Sequence, residues 1–332
     1  MNFELPVSAV EQARDRVAPY VRRTPLAPLP AAQTDLPPQL RLKLENLQVS
    51  GSFKARGAFN NLLQASPEQR QRGVVVASGG NHGLAIAYAA RRLGMPATVY
   101  LPNTASEDRA NRIALQGAKV ERYGDNPSDT LRHALEHAER AELLYVHPFD
   151  SDGTVQGTGT LGLELLDDLP ELDCVLIAIG GGGLIGGMAA AIKQLRPNVR
   201  IVGVEPVGAA KMQPSIEAGR VVELPAVRTI ADTLAPRSVS ERTLRLAERY
   251  VDEIVLVDDQ QIVAAMRWLW TECNQLVEPA GAAVLAAVHN GAVNLDSFAN
   301  PVALICGGNA AAEPIFRGYE QLANDLPLPA KP

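Results

Sequence analysis

Three stretches carry residues whose types and spacing could do chemistry. In Ser50-Gly51-Ser52-Phe53-Lys54-Ala55-Arg56-Gly57-Ala58 a lysine falls near the start of a helical pattern, with Ser52 placed as N-cap and Phe53 as a flat apolar neighbour. The positive potential at a helix N-terminus disfavours a charged amine, and a neutral amine is what condensation with a carbonyl requires. In Gly180-Gly181-Gly182-Gly183-Leu184-Ile185-Gly186 four consecutive glycines open another helix. Glycine is costly to order, so such a run needs a reason. Backbone N–H groups exposed at a helix N-terminus supply one, because they bind phosphate. Residues 181–186 also fit G-x-G-x-x-G, and Glu205 ends the next strand about 20 residues on, the arrangement of an NAD(P)-dependent oxidoreductase. A monophosphate satisfies the same N–H groups as well as a pyrophosphate does. Third, His133-Ala134-Leu135-Glu136-His137 matches H-x-x-E-H, an inverted zinc-protease pattern. Leu131, Ala134, Leu135 and Ala138 make an ordinary amphipathic stripe there. The two histidines then fall on a solvated face with Arg132, Glu136 and Glu139.

Short apolar runs followed by helical patterns position these residues. Val74–Ala77 precedes Asn81–Arg92, Ala97–Leu101 precedes Ser106–Gln116, and Lys119–Tyr123 precedes Ser128–Ala141. Cys174–Ile179 precedes a helix from about Leu184 to Leu195, and Arg200–Glu205 follows it. Strands alternating with helices predict parallel sheets in an α/β fold. The strand–helix pairs fall in two groups, about 73–149 and 172–310, with a soft boundary near residue 150. Cys174 to Ile192 holds no charge over roughly the length of a membrane span, but its glycines argue for buried strand, loop and helix instead.

Composition excludes other classes. The chain has 332 residues, 46% hydrophobic, 20% charged, with a net charge of −6. That is enough apolar material for a large core, and there is no basic excess for nucleic acid. Cys174, Cys273 and Cys306 are few, odd in number and far apart, which fits neither a disulfide framework nor a CxxC zinc site and favours a reducing, cytoplasmic compartment. Met1 to Arg16 carries Glu4, Glu11 and Asp15 and no apolar core, so it does not read as a signal peptide.

The lysine stretch resembles the cofactor-lysine motif of the fold-type II pyridoxal-phosphate enzymes, and within them the serine/threonine dehydratase and serine racemase family. The family's landmarks follow in order: Ser78-Gly79-Gly80-Asn81-His82-Gly83, Pro148-Phe149-Asp150, Gln156-Gly157-Thr158-Gly159-Thr160, Gly180–Gly183, Glu278-Pro279-Ala280-Gly281 and Cys306-Gly307-Gly308-Asn309. The resemblance covers about residues 20–310. It implies two open, mostly parallel α/β domains of the tryptophan-synthase-β-like architecture, with the active site in the cleft between them. Residues 1–65 and 150–326 would form the large cofactor-binding domain, and 73–149 the small one.

The resemblance also implies roles. Lys54 bonds pyridoxal 5'-phosphate, is freed by the substrate amine and removes the Cα proton. Gly180, Gly181, Gly182 and Gly183 hold the phosphate, Phe53 packs on the ring and Asn81 bonds the ring hydroxyl oxygen. Cys306 faces the pyridine nitrogen, where a neutral thiol is a weak partner and leaves a weaker electron sink than an aspartate would. Ser78, Gly79, Asn81 and His82 take the substrate carboxylate. The implied activity is loss of water from L-serine- or L-threonine-like β-hydroxy amino acids, giving 2-keto acid and ammonia, in a homodimer with no nucleic-acid or membrane partner. Racemisation is the close alternative, but racemising members place a serine where this chain has Gly79. Several relatives hold a divalent cation with an acid after a strand, a backbone carbonyl and a second acid. Glu205 and Ala209 match the first two positions, and Lys211 replaces the second acid, so no metal site is expected. Lys211 either pairs with Glu205 or lies on the surface.

Overall fold

The structure is a computed structural model that describes residues 3–30 and 36–309. The chain enters through helix α1 (Val7–Val17), strands β1 (Leu26–Pro28) and β2 (Arg41–Leu44), and helices α2 (Lys54–Leu63) and α3 (Pro67–Arg72). Then come β3 (Val74–Ala77), α4 (Asn81–Leu93), β4 (Ala97–Leu101), α5 (Glu107–Ala114), β5 (Lys119–Arg122), α6 (Pro127–Arg140) and β6 (Leu144–Tyr145). Helix α7 (Asp152–Asp168) leads to β7 (Cys174–Ala178), α8 (Gly183–Leu195), β8 (Arg200–Pro206), α9 (Met212–Ala218), α10 (Glu241–Tyr250) and β9 (Glu253–Val257). Helices α11 (Asp259–Cys273) and α12 (Pro279–His289) precede β10 (Pro301–Ile305).

The strands form two sheets. The larger has the order β1-β2-β10-β7-β8-β9 and the smaller β5-β4-β3-β6. Among the described residues every strand pairing is parallel except β1 with β2. Central strands of parallel sheets are covered on both faces, which is why β7 and β10 read as unbroken apolar runs and are buried throughout. The chain is thus an α/β protein with two open, mostly parallel sheets, as the strand–helix rhythm predicts. The N-terminal strands join the larger sheet, while residues 74–145 build the smaller one. Residues 310–326, assigned above to the large domain, lie outside the described residues.

Helix α2 links the two units. Its Ala55, Ala58, Phe59 and Leu62 pack into the apolar cluster of the smaller sheet, with Val74, Val76 and Leu84. Its Arg56 is buried on the other side. Arg56 donates through Nε to Glu45 Oε2 at 2.9 Å, and through a terminal nitrogen to Glu45 Oε1 and Glu164 Oε2, both at 2.8 Å. Burial alone would push the Glu45 carboxyl up, but Arg56 holds it below the ordinary range.

The charge-free stretch from Cys174 to Ile192 is interior. Gly187 meets α7 so closely that a Cβ there would stand 2.3 Å from Thr158 Oγ1 and 2.4 Å from the Val155 carbonyl. Small residues let α7 and α8 pack at backbone distance. Among the described residues no helix is long and apolar enough to cross a membrane. The histidine pair of α6 is less solvated than its pattern predicts. The His133 ring stacks on Tyr123 at 3.7 Å between centroids, and His137 Nδ1 lies 3.1 Å from the Tyr100 hydroxyl. Leu135 is exposed instead of joining the buried stripe.

Candidate active site

A cavity of about 670 Å³ lies where the two units face each other. Residues Ser78–His82 wall it from the smaller unit, and Gly180–Leu184, Glu278 and Cys306 from the larger. Phe53 and Lys54 stand at the start of α2, beside Pro148 and Phe149. The structure therefore brings all the candidate residues into one cavity, from stretches spread over more than two hundred positions.

Ser52 is not the cap that its type suggests. Helix α2 starts at Lys54 with Phe53 in the N-cap position and no side-chain cap. Ser52 is extended and bridges to Gly307, the residue after β10 and Cys306, and Phe53 N–H donates to the Cys306 carbonyl at 3.1 Å. A pairing across 255 positions, which no local pattern reveals, fixes the lysine. The Lys54 ammonium donates to the Pro148 carbonyl at 2.6 Å and sits 5.2 Å from the Phe53 ring centroid. Burial pushes its amine down to about 8, against the upward pull of Cys306 and Glu278. Desolvation thus moves the amine toward the neutral form that the sequence reading calls for.

Two of the helices that begin on this cavity, α4 and α8, start from a glycine and without a side-chain cap. Gly80 stands at the N-cap of α4 and Gly182 at that of α8. Their first N–H groups lack intrahelical partners and suit an anion. The glycine run has steric reasons as well. Gly182 has φ +88°, the left-handed region that favours glycine. A Cβ on Gly181 would stand 2.2 Å from the Phe149 ring, and one on Gly183 would stand 2.9 Å from the Phe149 backbone.

The side chains of the α4 loop are largely committed. Asn81 Nδ2 donates to Glu278 Oε1 at 2.5 Å, and Asn81 Oδ1 accepts from Asn309 Nδ2 at 2.8 Å. His82 Nε2 lies 2.9 Å from the Val146 carbonyl, and burial pushes the imidazole down to about 3, so the ring is neutral and donates there. What His82 offers an anion is its backbone N–H. Ser78 Oγ accepts from Gly80 N–H at 3.3 Å. Gly79 presents only backbone to the cavity. Cys306 is buried, and burial raises its thiol well above the ordinary value, so it stays neutral.

Some cavity residues have no role that the sequence assigns. Glu278 is almost fully buried and also accepts from Thr233 Oγ1 at 3.4 Å. Its Glu-Pro-Ala-Gly setting was the one visible signal. Arg109 of α5 and Asp232, from opposite units, form an ion pair at the mouth. Only the folded chain puts them together.

Glu205 excludes the dinucleotide arrangement. It is fully buried and accepts the N–H groups of Lys211, Met212 and Gln213 at 3.0–3.1 Å, so it is closed to a ribose. Lys211 is fully buried beside it, with Nζ 3.4 Å from Glu205 Oε1. This overturns the surface placement that the sequence left open.

The cavity fits pyridoxal phosphate: a phosphate at the glycine-walled start of α8, an aldehyde at Lys54 and an aromatic ring near Phe53 and Cys306. Comparisons with known proteins agree. The family model of the pyridoxal-phosphate dependent enzymes matches residues 17–307. The L-threonine ammonia-lyase of Geobacter sulfurreducens is 38% identical over 305 residues, covering 92% of this chain and 76% of that protein. The phenylserine dehydratase of Ralstonia pickettii is 40% identical over 317 residues, covering 94% of this chain and 95% of that one. The solved structure of maize serine racemase superposes with a TM-score of 0.89 at 32% identity, covering 96% of this chain and 98% of that one. This chain belongs to the family of pyridoxal-phosphate dependent enzymes.

Proposed function

We propose that the chain is a pyridoxal-phosphate-dependent ammonia-lyase that removes water from L-serine- or L-threonine-like β-hydroxy amino acids, releasing 2-keto acid and ammonia. The observation that carries this is Lys54, its amine lowered to about 8 by burial, in a cavity where the glycine-started N-termini of α4 and α8 converge. The α8 terminus, Gly180–Gly183, holds the cofactor phosphate. The α4 loop, Ser78 to His82, holds the substrate carboxylate on backbone N–H groups. The bound cofactor supplies an electron sink for the Cα carbanion.

Lys54 removes the Cα proton as general base, the Cβ–O bond breaks, and the β-hydroxyl takes up a proton to leave as water, so that the proton removed from Cα is balanced. The enamine set free hydrolyses to the keto acid and ammonia. Phe53 supports the ring face, and Asn81 offers its second amide N–H to the ring hydroxyl oxygen. Cys306, held neutral, meets the ring nitrogen without a counter-charge. Gly79 favours elimination over racemisation, because it has no side chain to carry a proton on the face opposite Lys54. Residues 1–65 with 150–326, and residues 73–149, are the two domains of this enzyme. A cytoplasmic homodimer completes the proposal. Free Cys174, Cys273 and Cys306 support the compartment, and exposed Val263 and Trp270 on one face of α11 support a second copy.

Keto-acid release from a panel of L- and D-β-hydroxy amino acids tests this, with Lys54→Ala as control. Release is expected from L-serine or L-threonine. The variant should release none and should lack the visible absorbance of the wild type. A panel that yields only the opposite enantiomer, or a Lys54→Ala protein with normal turnover, overturns the assignment.

A further inference from the structure

One buried ion takes no part in the chemistry above. Lys211 follows the short turn after β8, and its side chain is fully enclosed. Its Nζ lies 2.7 Å from the Ala209 carbonyl, 2.9 Å from the Leu234 carbonyl, 3.5 Å from the Ile179 carbonyl and 3.4 Å from Glu205 Oε1. Burial lowers this amine, but Glu205 pulls it back up, and all four neighbours are acceptors, which favours the three-donor ammonium over a neutral amine that would aim its lone pair at one of them. Glu205 is already fixed by three backbone N–H groups and does not need the lysine for its place. The carbonyls are a different matter. Like dipoles converging on one point repel unless a cation lies between them.

The position of those carbonyls gives the lysine a purpose. Ile179 is the residue immediately before the glycine run, and Leu234 belongs to the facing wall of the cavity. Gly180, which follows Ile179, abuts that wall: a Cβ there would stand 3.2 Å from the Thr233 carbonyl and 3.5 Å from Leu234 Cα. We propose that Lys211 is a positioning residue, a tethered cation that draws the Ile179 and Leu234 carbonyls together and so sets the shape of the Gly180–Gly183 cradle for the cofactor phosphate. The proposal rests on the cofactor placement given above. Because the cation is covalently part of the chain, the cradle is formed whatever ions the solution holds. Removing the side chain leaves carbonyls and a carboxylate around a void, an oxygen donor set of the kind that hard cations take.

That consequence is the test. Cofactor-free Lys211→Ala, and Lys211→Met, which keeps most of the stem, are titrated with pyridoxal phosphate by visible absorbance in choline, ammonium and magnesium chloride at equal ionic strength. In choline chloride the dissociation constant should rise about tenfold or more over wild type. For the alanine variant it should return toward wild type with ammonium or magnesium, and for the methionine variant, whose stem fills the void, it should not. Wild-type affinity in choline chloride, or a loss in folded Lys211→Ala that no cation restores, overturns the proposal. The wild-type chain gives a second readout that needs neither variant to fold. The thermal midpoint of its cofactor-free form should be the same in choline chloride with EDTA as in magnesium chloride, and a rise of several degrees with magnesium overturns the tethered cation. A wild-type chain that takes up no pyridoxal phosphate sinks the cofactor placement itself, whereas failure confined to the Lys211 experiments sinks only this role.

Discussion

Lys54 has a charge balance that predicts a pH profile. Its amine titrates near 8 in the fold against an ordinary 10.5, because burial removes water from the charged form. In the cofactor-free protein, reaction of Lys54 with a simple aldehyde should therefore rise with pH and level off just above 8. Surface Lys119, whose amine is raised by Glu121, should keep accelerating well beyond that. Borohydride trapping and mass spectrometry of the two peptides check this, and parallel profiles would contradict it. The sign for stability follows. Between pH 8 and 10.5 the unfolded chain holds the extra proton, so wild type should gain stability relative to Lys54→Met across that window. Gly79 makes a second prediction at this scale. Its φ lies outside the left-handed region, and an added Cβ would stand 3.1 Å from Leu101 Cδ2, the end of a flexible side chain. Gly79→Ser should thus be tolerated and should place a hydroxyl on the face opposite Lys54. The ratio of D-serine to keto acid formed from L-serine should rise by roughly 10²-fold, the worth of a positioned acid/base. Chiral chromatography of the products measures it, and an unchanged ratio counts against the stereochemical placement.

Helix starts separate what could be read from the sequence from what could not. Asn126, Ser240 and Asp258 cap α6, α10 and α11 through their own side chains. Gly80 and Gly182 leave α4 and α8 open on the cavity. The apolar runs of β3 and β4 show their bounds because strands need little beyond local burial, and the glycine run announces α8 because few other sequences need it. Pro127 hid the true start of α6 by one residue, since a proline that breaks a helix interior is welcome in its first turn. The misread cap at Ser52 has another cause: its partner is Gly307, and only the folded sheet brings them together. The burial of Lys211 was open for the same reason. Open helix starts need close walls, and Gly181 shows how close. Gly181→Ala forces its methyl into the Phe149 ring, which should cost about 1–3 kcal/mol of stability as overpacking and weaken cofactor binding. Phe149→Ala in the same chain should recover part of both losses, because the two residues contact and their effects are not additive. Denaturant melts and cofactor titrations of the four proteins decide it; strictly additive losses would place the effect elsewhere.

Across the whole molecule, the cleft is bridged by helix α5 of the smaller unit. Arg112 donates to the carbonyl and side-chain oxygen of Asn309, which in turn donates to Asn81 and to the Ser50 carbonyl. One turn earlier, Arg109 pairs with Asp232 of the larger unit at the cavity mouth, each side chain 41% exposed. An exposed pair of this kind adds at most about 1 kcal/mol to stability, so its larger consequence is electrostatic. It presents a neutral entrance in which neither charge dominates, suited to substrates whose side chain carries no charge. Breaking it on one side changes that selectivity in a chosen direction. Asp232→Asn keeps the size of the side chain and leaves the Arg109 guanidinium without its carboxylate, so the mouth becomes positive. The relative kcat/KM of a β-hydroxy amino acid with a second carboxylate, such as 3-hydroxyaspartate, over serine should rise about tenfold, equivalent to about 1.4 kcal/mol. Because the site is partly exposed, added salt should erode the gain. Arg109→Ala should shift the preference the opposite way, leaving Asp232 to repel the second carboxylate. Competition assays with both substrates over a range of sodium chloride concentrations read the effect, and a preference that moves the same way in both variants would show that the pair shapes the entrance by packing rather than by charge.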